Sequence, residues 1–158
     1  MTDTLADAPP SLHSKTAATW LALLGGPLGA HRFYLYGWND VWAWLHPLPT
    51  LVGALGLRRV AEFGLDDQLS WLLIPVLGFM VAGTMLQAIV YGLMPDERWH
   101  ARYNAGRDLR TARPSGWAAI IGVILALLVG ATVLMSTIAF SGQRYFEYQV
   151  EEARKLSQ

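Results

Sequence analysis

The sequence predicts an all-α membrane protein, a small polytopic helical bundle with three to four transmembrane helices. Of its 158 residues, 53% are hydrophobic and only 15% are charged, which is rich in apolar residues for a water-soluble domain. These residues form four blocks without Lys, Arg, Asp or Glu, at 16–31, 41–57, 68–95 and 114–143. The last two exceed the roughly 20 residues that cross about 30 Å of hydrocarbon, so both should be transmembrane helices.

The tryptophans indicate the same architecture independently. Tryptophan is enriched where a membrane meets water, because its ring is apolar and its N–H is polar. All seven lie near the end of an apolar segment or in the flank beside it, which is typical of an aromatic belt. They are Trp20, Trp38, Trp42, Trp44, Trp71, Trp99 and Trp117.

The first segment, residues 15–30, is predicted to be an uncleaved membrane helix that begins at Lys15. Pro27 lacks a backbone N–H and should kink or end this helix near Gly25 and Gly26. Small residues at every fourth position favour close packing against another helix, although such residues are also frequent in membrane helices generally. They are Ala18, Ala22, Gly26 and Ala30. Residues 1–14 contain few apolar side chains and should form a mobile tail.

The second segment, residues 41–57, is short and interrupted by His46, Pro47 and Pro49. Proline frees carbonyl groups, and irregular backbone at membrane depth is tolerated only where protein or a water-lined cavity covers it. The segment is therefore either a broken spanning helix or a re-entrant hairpin. We favour the broken helix.

The third and fourth segments, about 69–94 and 117–140, are predicted to be uninterrupted spans. The fourth repeats the spacing of small residues with Gly122, Ala126 and Gly130. The chain then divides into the N-terminal tail 1–14, a membrane domain 15–94, a polar connector 95–116, a last transmembrane helix 117–140 and a charged, helical tail 141–158.

A motif rich in glycine and aromatic residues follows the first segment, and we call residues 26–37 the hook. His31 and Arg32 could bind a lipid phosphate or a carboxylate. We favour a structural role, in which Arg32 anchors the helix end at the lipid headgroups and aromatic side chains fill the interface around it. The hook residues are Gly26, Gly29, His31, Arg32, Phe33, Tyr34, Leu35 and Gly37, and Tyr36 is a further aromatic side chain at the interface.

The connector begins with a predicted short helix that has Pro95 at its first position. Asp96 and Glu97 then suit the positive end of the helix dipole. Arg98 and Arg102 lie one turn apart, beside Trp99 and Tyr103. Such a helix could lie flat on anionic lipid or dock on a partner.

Several classes of function lack the residues that they require. The net charge is zero, so no basic surface is available to recruit nucleic acid. The chain has no cysteine, and no two histidines share helical spacing, so we expect neither a metal site nor a cofactor. The third and fourth segments contain no Asp, Glu, Lys, Arg or His, and no nucleophile elbow or phosphate loop occurs. We therefore expect no catalytic residues and no enzymatic activity.

Residues 14–37 resemble the TM2-domain family of small membrane proteins. Members show a Lys-initiated apolar helix, a Gly-x-x-Gly turn and His or Asp before Arg-Phe-Tyr-Leu-Gly. The matching positions are Gly26, Gly29, His31, Arg32, Phe33, Tyr34 and Leu35. Residues 44–53 and 95–104 are similar to a longer bacterial subgroup, often labelled NINE proteins. The resemblance implies a multi-helix protein of the bacterial inner membrane without an established catalytic activity.

Two hook positions depart from the pattern of the animal members. His31 stands where those members have Asp, so we expect that the internal pairing of this acid with Arg32 is not available. Tyr36 occupies the place of the usual glycine, which moves to Gly37.

The sequence favours a structural or interaction protein that acts by helix packing and by contact with lipid or a partner. The partner could be a second copy or another membrane protein. The rival hypothesis is a small transporter or channel subunit, in which His46 and the broken second segment line a polar path. With four spans the Lys and Arg residues divide six against six between the two faces. We favour the connector as cytoplasmic, because it holds the densest cluster of arginines.

Overall fold

The computed structural model describes residues 12–157, so most of the predicted mobile tail, residues 1–11, lies outside it. The described residues form α-helices, two short 3-10 turns and loops, without a strand. The all-helical prediction is therefore confirmed. The helices are α1 (Lys15–Gly25), α2 (Ala30–Tyr36), α3 (Val41–Leu45), α4 (Pro47–Phe63), α5 (Gln68–Leu93), α6 (Asp96–Tyr103) and α7 (Trp117–Leu156).

Two helices among residues 12–157, α5 and α7, are long and apolar enough to cross a membrane. Only 17% of the most apolar stretch of α5 and 22% of that of α7 are buried inside the protein. The core helix of a soluble protein would be covered by its own chain, and these helices are not, which suggests membrane association. The predicted third and fourth segments correspond to α5 and to the first part of α7.

The first segment differs from the prediction, because α1 ends at Gly25 and the chain turns back. At 11 residues, α1 is about 16 Å long, too short for a bilayer core. Lys15, at its start, donates to the carbonyl of Met94 at the C-terminal end of α5 (2.8 Å). The short α2 then returns, and the ring of Tyr36 lies 6.2 Å from that of Tyr103 in α6. Residues 15–36 are thus a helical hairpin whose two ends lie at the same end of α5.

We call that end of the bundle the connector end, and the end where α5 begins the opposite end. The second segment runs from the connector end toward the opposite end and is broken at His46 into α3 and α4. Along α4, Gly53 packs against Leu77 and Gly56 against Leu73, so α4 lies antiparallel to α5. The break at His46 that the favoured interpretation requires is therefore present, and the hairpin of the bundle is formed by the first segment instead.

The predicted small-residue faces pack inside the chain. On α1, Ala18, Ala22 and the Gly26 that follows are buried, whereas Ala30 leaves this face because it lies in α2, beyond the turn. On α7, Gly122 and Ala126 are buried, and a β-carbon on Gly130 would lie 2.7 Å from the Cβ of Met85. The last transmembrane helix and the charged tail form one continuous helix of 40 residues.

Candidate functional site

The hook is a tight turn that only glycine permits at its centre. Gly29 has a φ of 79°, in the left-handed region that residues with a β-carbon avoid. A β-carbon there would also lie 2.5 Å from the carbonyl oxygen of Ala43. The turn therefore sets how closely α3 approaches the hairpin.

Arg32 lies in an internal ion pair. Its Nε donates to Oδ2 of Asp40 (2.7 Å) and one terminal nitrogen to Oδ1 (3.2 Å). Asp40 also accepts from the backbone N–H of Trp42 and so caps α3. The Arg32 guanidinium holds the pKa of Asp40 below its ordinary value. The expectation that Arg32 has no acidic partner within the chain was therefore wrong. Asp40 supplies the carboxylate that the histidine at position 31 cannot.

An equivalent corner joins α4 to α5. Arg59 donates from Nε and a terminal nitrogen to both carboxylate oxygens of Asp67, each at 2.8 Å. Asp67 caps α5 by accepting from the backbone N–H of Ser70 (3.1 Å). The arginine pairs, in both cases, with an aspartate eight residues later that begins the next helix. We name residues 32–44 corner one and residues 59–71 corner two.

The two corners also share their glycine and tryptophan. Gly37 and Gly64 follow five residues after the arginine, with φ values of 80° and 84°. The indole N–H of Trp44 donates to the carbonyl of Trp38 (2.9 Å), and that of Trp71 to the carbonyl of Leu65 (2.7 Å). Each arginine lies over the aromatic ring four residues on, at 5.0 Å in corner one and 4.9 Å in corner two.

Sequence reasoning missed this repeat, although its signal is present. The pattern Arg-x4-Gly-x2-Asp-x3-Trp occurs at residues 32–44 and again 27 positions later. A comparison of the chain with itself would have found it. The two corners lie at opposite ends of the bundle, where each reverses the chain between two helices.

His31 is buried beneath corner one, with 2% of its surface exposed. Its ring lies 5.4 Å from that of His46 and 5.8 Å from that of Tyr91. Within residues 12–157 its Nδ1 has no hydrogen-bond partner, whereas Nδ1 of His46 lies 2.6 Å from the carbonyl oxygen of Trp42. The described part of the chain contains no group of three His, Asp or Glu side chains that could hold a metal ion.

The aromatic hook residues pack within the chain. Phe33 lies 5.0 Å from the ring of Trp38, and Leu35 belongs to the buried core. The hydroxyl of Tyr34 accepts from the backbone N–H of Ser14 (2.7 Å), which ties the start of α1 to α2. This contact closes the hairpin at the connector end.

The connector helix α6 docks on the hairpin through its aromatic residues. Trp99 is only 1% exposed, and its ring lies 4.3 Å from that of Tyr103 and 5.7 Å from that of Tyr91. Arg98 and Arg102 are exposed. Of the residues predicted to contact lipid or a partner, Trp99 instead packs in the protein core, whereas Arg98 and Arg102 are exposed and available for such a contact.

A third ion pair connects the hairpin to the connector. Nζ of Lys15 lies 2.7 Å from Oδ1 of Asp96, and Lys15 is only 9% exposed. Ser115 donates to the same carboxylate from its backbone N–H (3.1 Å) and its hydroxyl (2.8 Å). The Lys15 ammonium and these two donors lower the pKa of Asp96 to about 2.

Comparisons of the whole chain with protein-family models, with curated proteins and with solved structures found no match. The resemblance to the TM2-domain family therefore stays a prediction that rests on the hook residues.

Proposed function

We propose that this chain is an integral membrane protein of the structural and interaction type, which acts through helix packing and contact with lipid or a partner. The observation that carries the proposal is the exposure of α5 and α7, whose apolar sides are not covered by their own chain. Exposed apolar surface of this extent requires lipid or another protein to cover it. The packing faces of small residues are used internally, so any partner must bind elsewhere.

The crossing elements in this proposal are α5, α7 and the broken helix of α3 and α4. The latter covers residues 41–63, about 34 Å of helix, of which the part without charged residues, 41–57, covers about 26 Å. The hairpin 15–36 enters from the connector end and returns to it. The N-terminus and the connector then share one face, and the C-terminus lies on the other.

This arrangement changes the charge count that sets orientation. Seven of the twelve Lys and Arg residues lie at the connector end, so the positive-inside rule favours that end as cytoplasmic. Together with the TM2-domain resemblance, this supports placement in a bacterial inner membrane. The seven are Lys15, Arg32, Arg98, Arg102, Arg107, Arg110 and Arg113.

Topology is tested with single cysteines, because the natural chain has none. The variants are Ser11→Cys, Ala105→Cys, Asp66→Cys and Ser157→Cys, each treated on intact cells with an impermeant thiol reagent. We expect Asp66→Cys and Ser157→Cys to react, and Ser11→Cys and Ala105→Cys to react only after the cells are permeabilised. Four spans would instead group position 11 with position 66, and that result would refute the re-entrant hairpin.

The best surface for a partner is an apolar groove between α5 and α7, with a volume of about 420 Å³. Small residues along it, including Ala82, Gly83 and Ala131, would let another helix approach closely. We propose a second copy of this chain as the occupant, because small residues from both helices line the groove and pairing of one surface with itself is the commonest form of homo-oligomer.

The matched test compares Ala131→Cys, in the groove, with Thr132→Cys, which is exposed at the same depth but points to another side of α7. Oxidation in native membranes should link two copies through position 131 and leave position 132 monomeric. Equal linking at both positions, or none at position 131, would contradict pairing through the groove.

The buried His31 and its neighbour His46 favour transport as a second candidate function, because polar groups at membrane depth often line a path. The close packing of α4 against α5 argues against this candidate. At Gly53 and Gly56 the two helices are in contact and leave no room for a channel within one copy. Ion or proton flux into proteoliposomes that disappears in His46→Ala would support this candidate. Equal flux with His46→Ala and the natural chain would remove it.

A further inference from the structure

We infer that a cavity at the connector end binds the phosphate of an anionic phospholipid. The cavity has a volume of about 300 Å³ and lies between the start of α1, the helix α6 and the stretch that leads into α7. Its polar lining includes Lys15, Thr16, Asp96, His100, Arg113 and Ser115. The inference rests on the proposed placement in a membrane and names the lipid group that this end would contact.

The charges that line the cavity leave one positive charge in excess. Lys15 and Arg113 are cationic, and Asp96 is the anion among the lining residues. Asp96 is already fully engaged by Lys15 and by both donors of Ser115. An anionic phospholipid carries one phosphodiester charge that no cation of its own headgroup neutralises, so a single such lipid would balance the site.

Two donors are available to such a phosphate. Of the three N–H bonds of the Lys15 ammonium, one is directed to Met94 and one to Asp96, which leaves the third. Arg113 lines the cavity and pairs with no carboxylate in residues 12–157. A guanidinium binds two phosphate oxygens at once, and the ammonium would supply a third contact.

The cavity also lies at the right height for a headgroup. Helix α5 ends at Leu93, directly before the Met94 carbonyl that holds Lys15. Helix α7 begins at Trp117, which is 78% exposed and follows two residues after Ser115. An exposed tryptophan at a helix start marks the membrane interface, and basic pockets between helices at that level suit lipid headgroups.

The test measures lipid retained on the full chain by native mass spectrometry after purification in detergent. The probes are phosphatidylglycerol, phosphatidylcholine and soluble glycerol phosphate. We expect phosphatidylglycerol to bind at least fivefold more tightly than phosphatidylcholine. Arg113→Gln should weaken phosphatidylglycerol binding at least fivefold. The matched control is Arg98→Gln, which removes an equal charge from an exposed site outside the cavity and should change binding less than twofold.

Each other outcome overturns the inference. Equal losses in the two variants would mean general surface attraction, and no loss in Arg113→Gln would mean that the cavity is not the site. Glycerol phosphate that binds alone and displaces the lipid would identify a soluble phosphate as the ligand. Failure of the membrane proposal is separately visible, because the natural chain would then not float with liposomes, whereas a chain that lacks only this site still floats.

Discussion

Corner one and corner two use the same residues at the same spacing in different surroundings. Corner one lies at the connector end, where His31 is buried beneath it and the ring of Phe33 contacts that of the exposed Trp44. Corner two lies at the opposite end, where Phe63 and Leu65 are exposed. The preceding helix has seven residues in one case and 17 in the other. The chain reversal is therefore set locally, by the arginine pair, the glycine and the aspartate cap, rather than by the packing around it.

The largest expected effect comes from removal of the aspartate in either corner. Asp40→Ala and Asp67→Ala each lose both bonds to the arginine and the helix cap, so each should lower the melting temperature by about 10 °C. Thermal unfolding of each variant in detergent micelles measures this decrease in melting temperature. Asp66→Ala, at an exposed neighbour, is the control and should change it little. A loss in one corner alone would show that surroundings, not local contacts, hold the turn.

Replacement of the corner glycines should cause the second-largest loss of stability. Gly37 and Gly64 combine positive φ with ψ near 180°, a conformation almost confined to glycine, so alanine should cost about 1–3 kcal/mol at each position. Both positions have open space for a β-carbon, which means that any loss reports backbone strain alone. Gly142→Ala, in the middle of α7, should be neutral or stabilising. Comparable stability of the Gly37→Ala and Gly142→Ala variants would contradict the strain argument.

The tryptophan bonds should matter least. Trp44→Phe and Trp71→Phe keep most of the ring and remove one hydrogen bond at an exposed site, so each should cost about 1 kcal/mol or less. Chemical unfolding of both variants measures the loss, with Trp117→Phe as the control without such a bond in residues 12–157. A loss above about 2 kcal/mol in one corner would show that its tryptophan also holds tertiary packing.

As the pH falls, the aspartates of the two corners should become protonated at different pH values. The pKa of Asp40 and that of Asp67 both lie below the ordinary value, because each carboxylate accepts from an arginine. Each carboxylate also accepts from a backbone N–H, that of Trp42 or that of Ser70, but Asp67 alone of the two accepts from the Ser70 hydroxyl as well, so its pKa should be the lower one. A lowered pKa means that the stabilisation is present above about pH 4 and is lost as the pH falls through the folded-state pKa.

Carboxyl chemical shifts from pH 6 to pH 2 should therefore show Asp40 protonated before Asp67. The reverse order would mean that the Ser70 hydroxyl does not lower the pKa of Asp67 below that of Asp40. Ser70→Ala is the variant that sharpens this comparison, because it should raise the midpoint of Asp67 toward that of Asp40.

Features set by neighbouring residues were predictable from the sequence. Pro27 and the glycines beside it indicated the end of α1, and His46 with Pro47 indicated the break between α3 and α4. The apolar runs gave α5 and the first part of α7 within one or two residues. These signals are local, so they do not depend on the rest of the fold.

Features that join distant residues were not predictable in this way. The return of α2 depends on contacts of Gly29 with Ala43 and of Tyr34 with Ser14, which no periodicity records. The cavity requires Lys15 and Asp96 to meet across 81 positions of the chain. Trp99 follows the general pattern of interfacial tryptophans, yet it is buried, because its ring packs against Tyr91 of α5 and its indole N–H donates to the carbonyl of His13, 86 positions earlier.

Because α7 is long, a small change in its tilt moves its C-terminal end by a much larger distance. Its 40 residues extend about 60 Å, twice the thickness of a hydrocarbon core, and the part after Phe140 makes up about 24 Å of this length. A change of about 10° in the tilt of this rigid helix would displace its tip by about 4 Å relative to Phe140. Small shifts in packing at Gly122 or Gly130 would therefore be amplified at Leu156, far from the contacts that cause them.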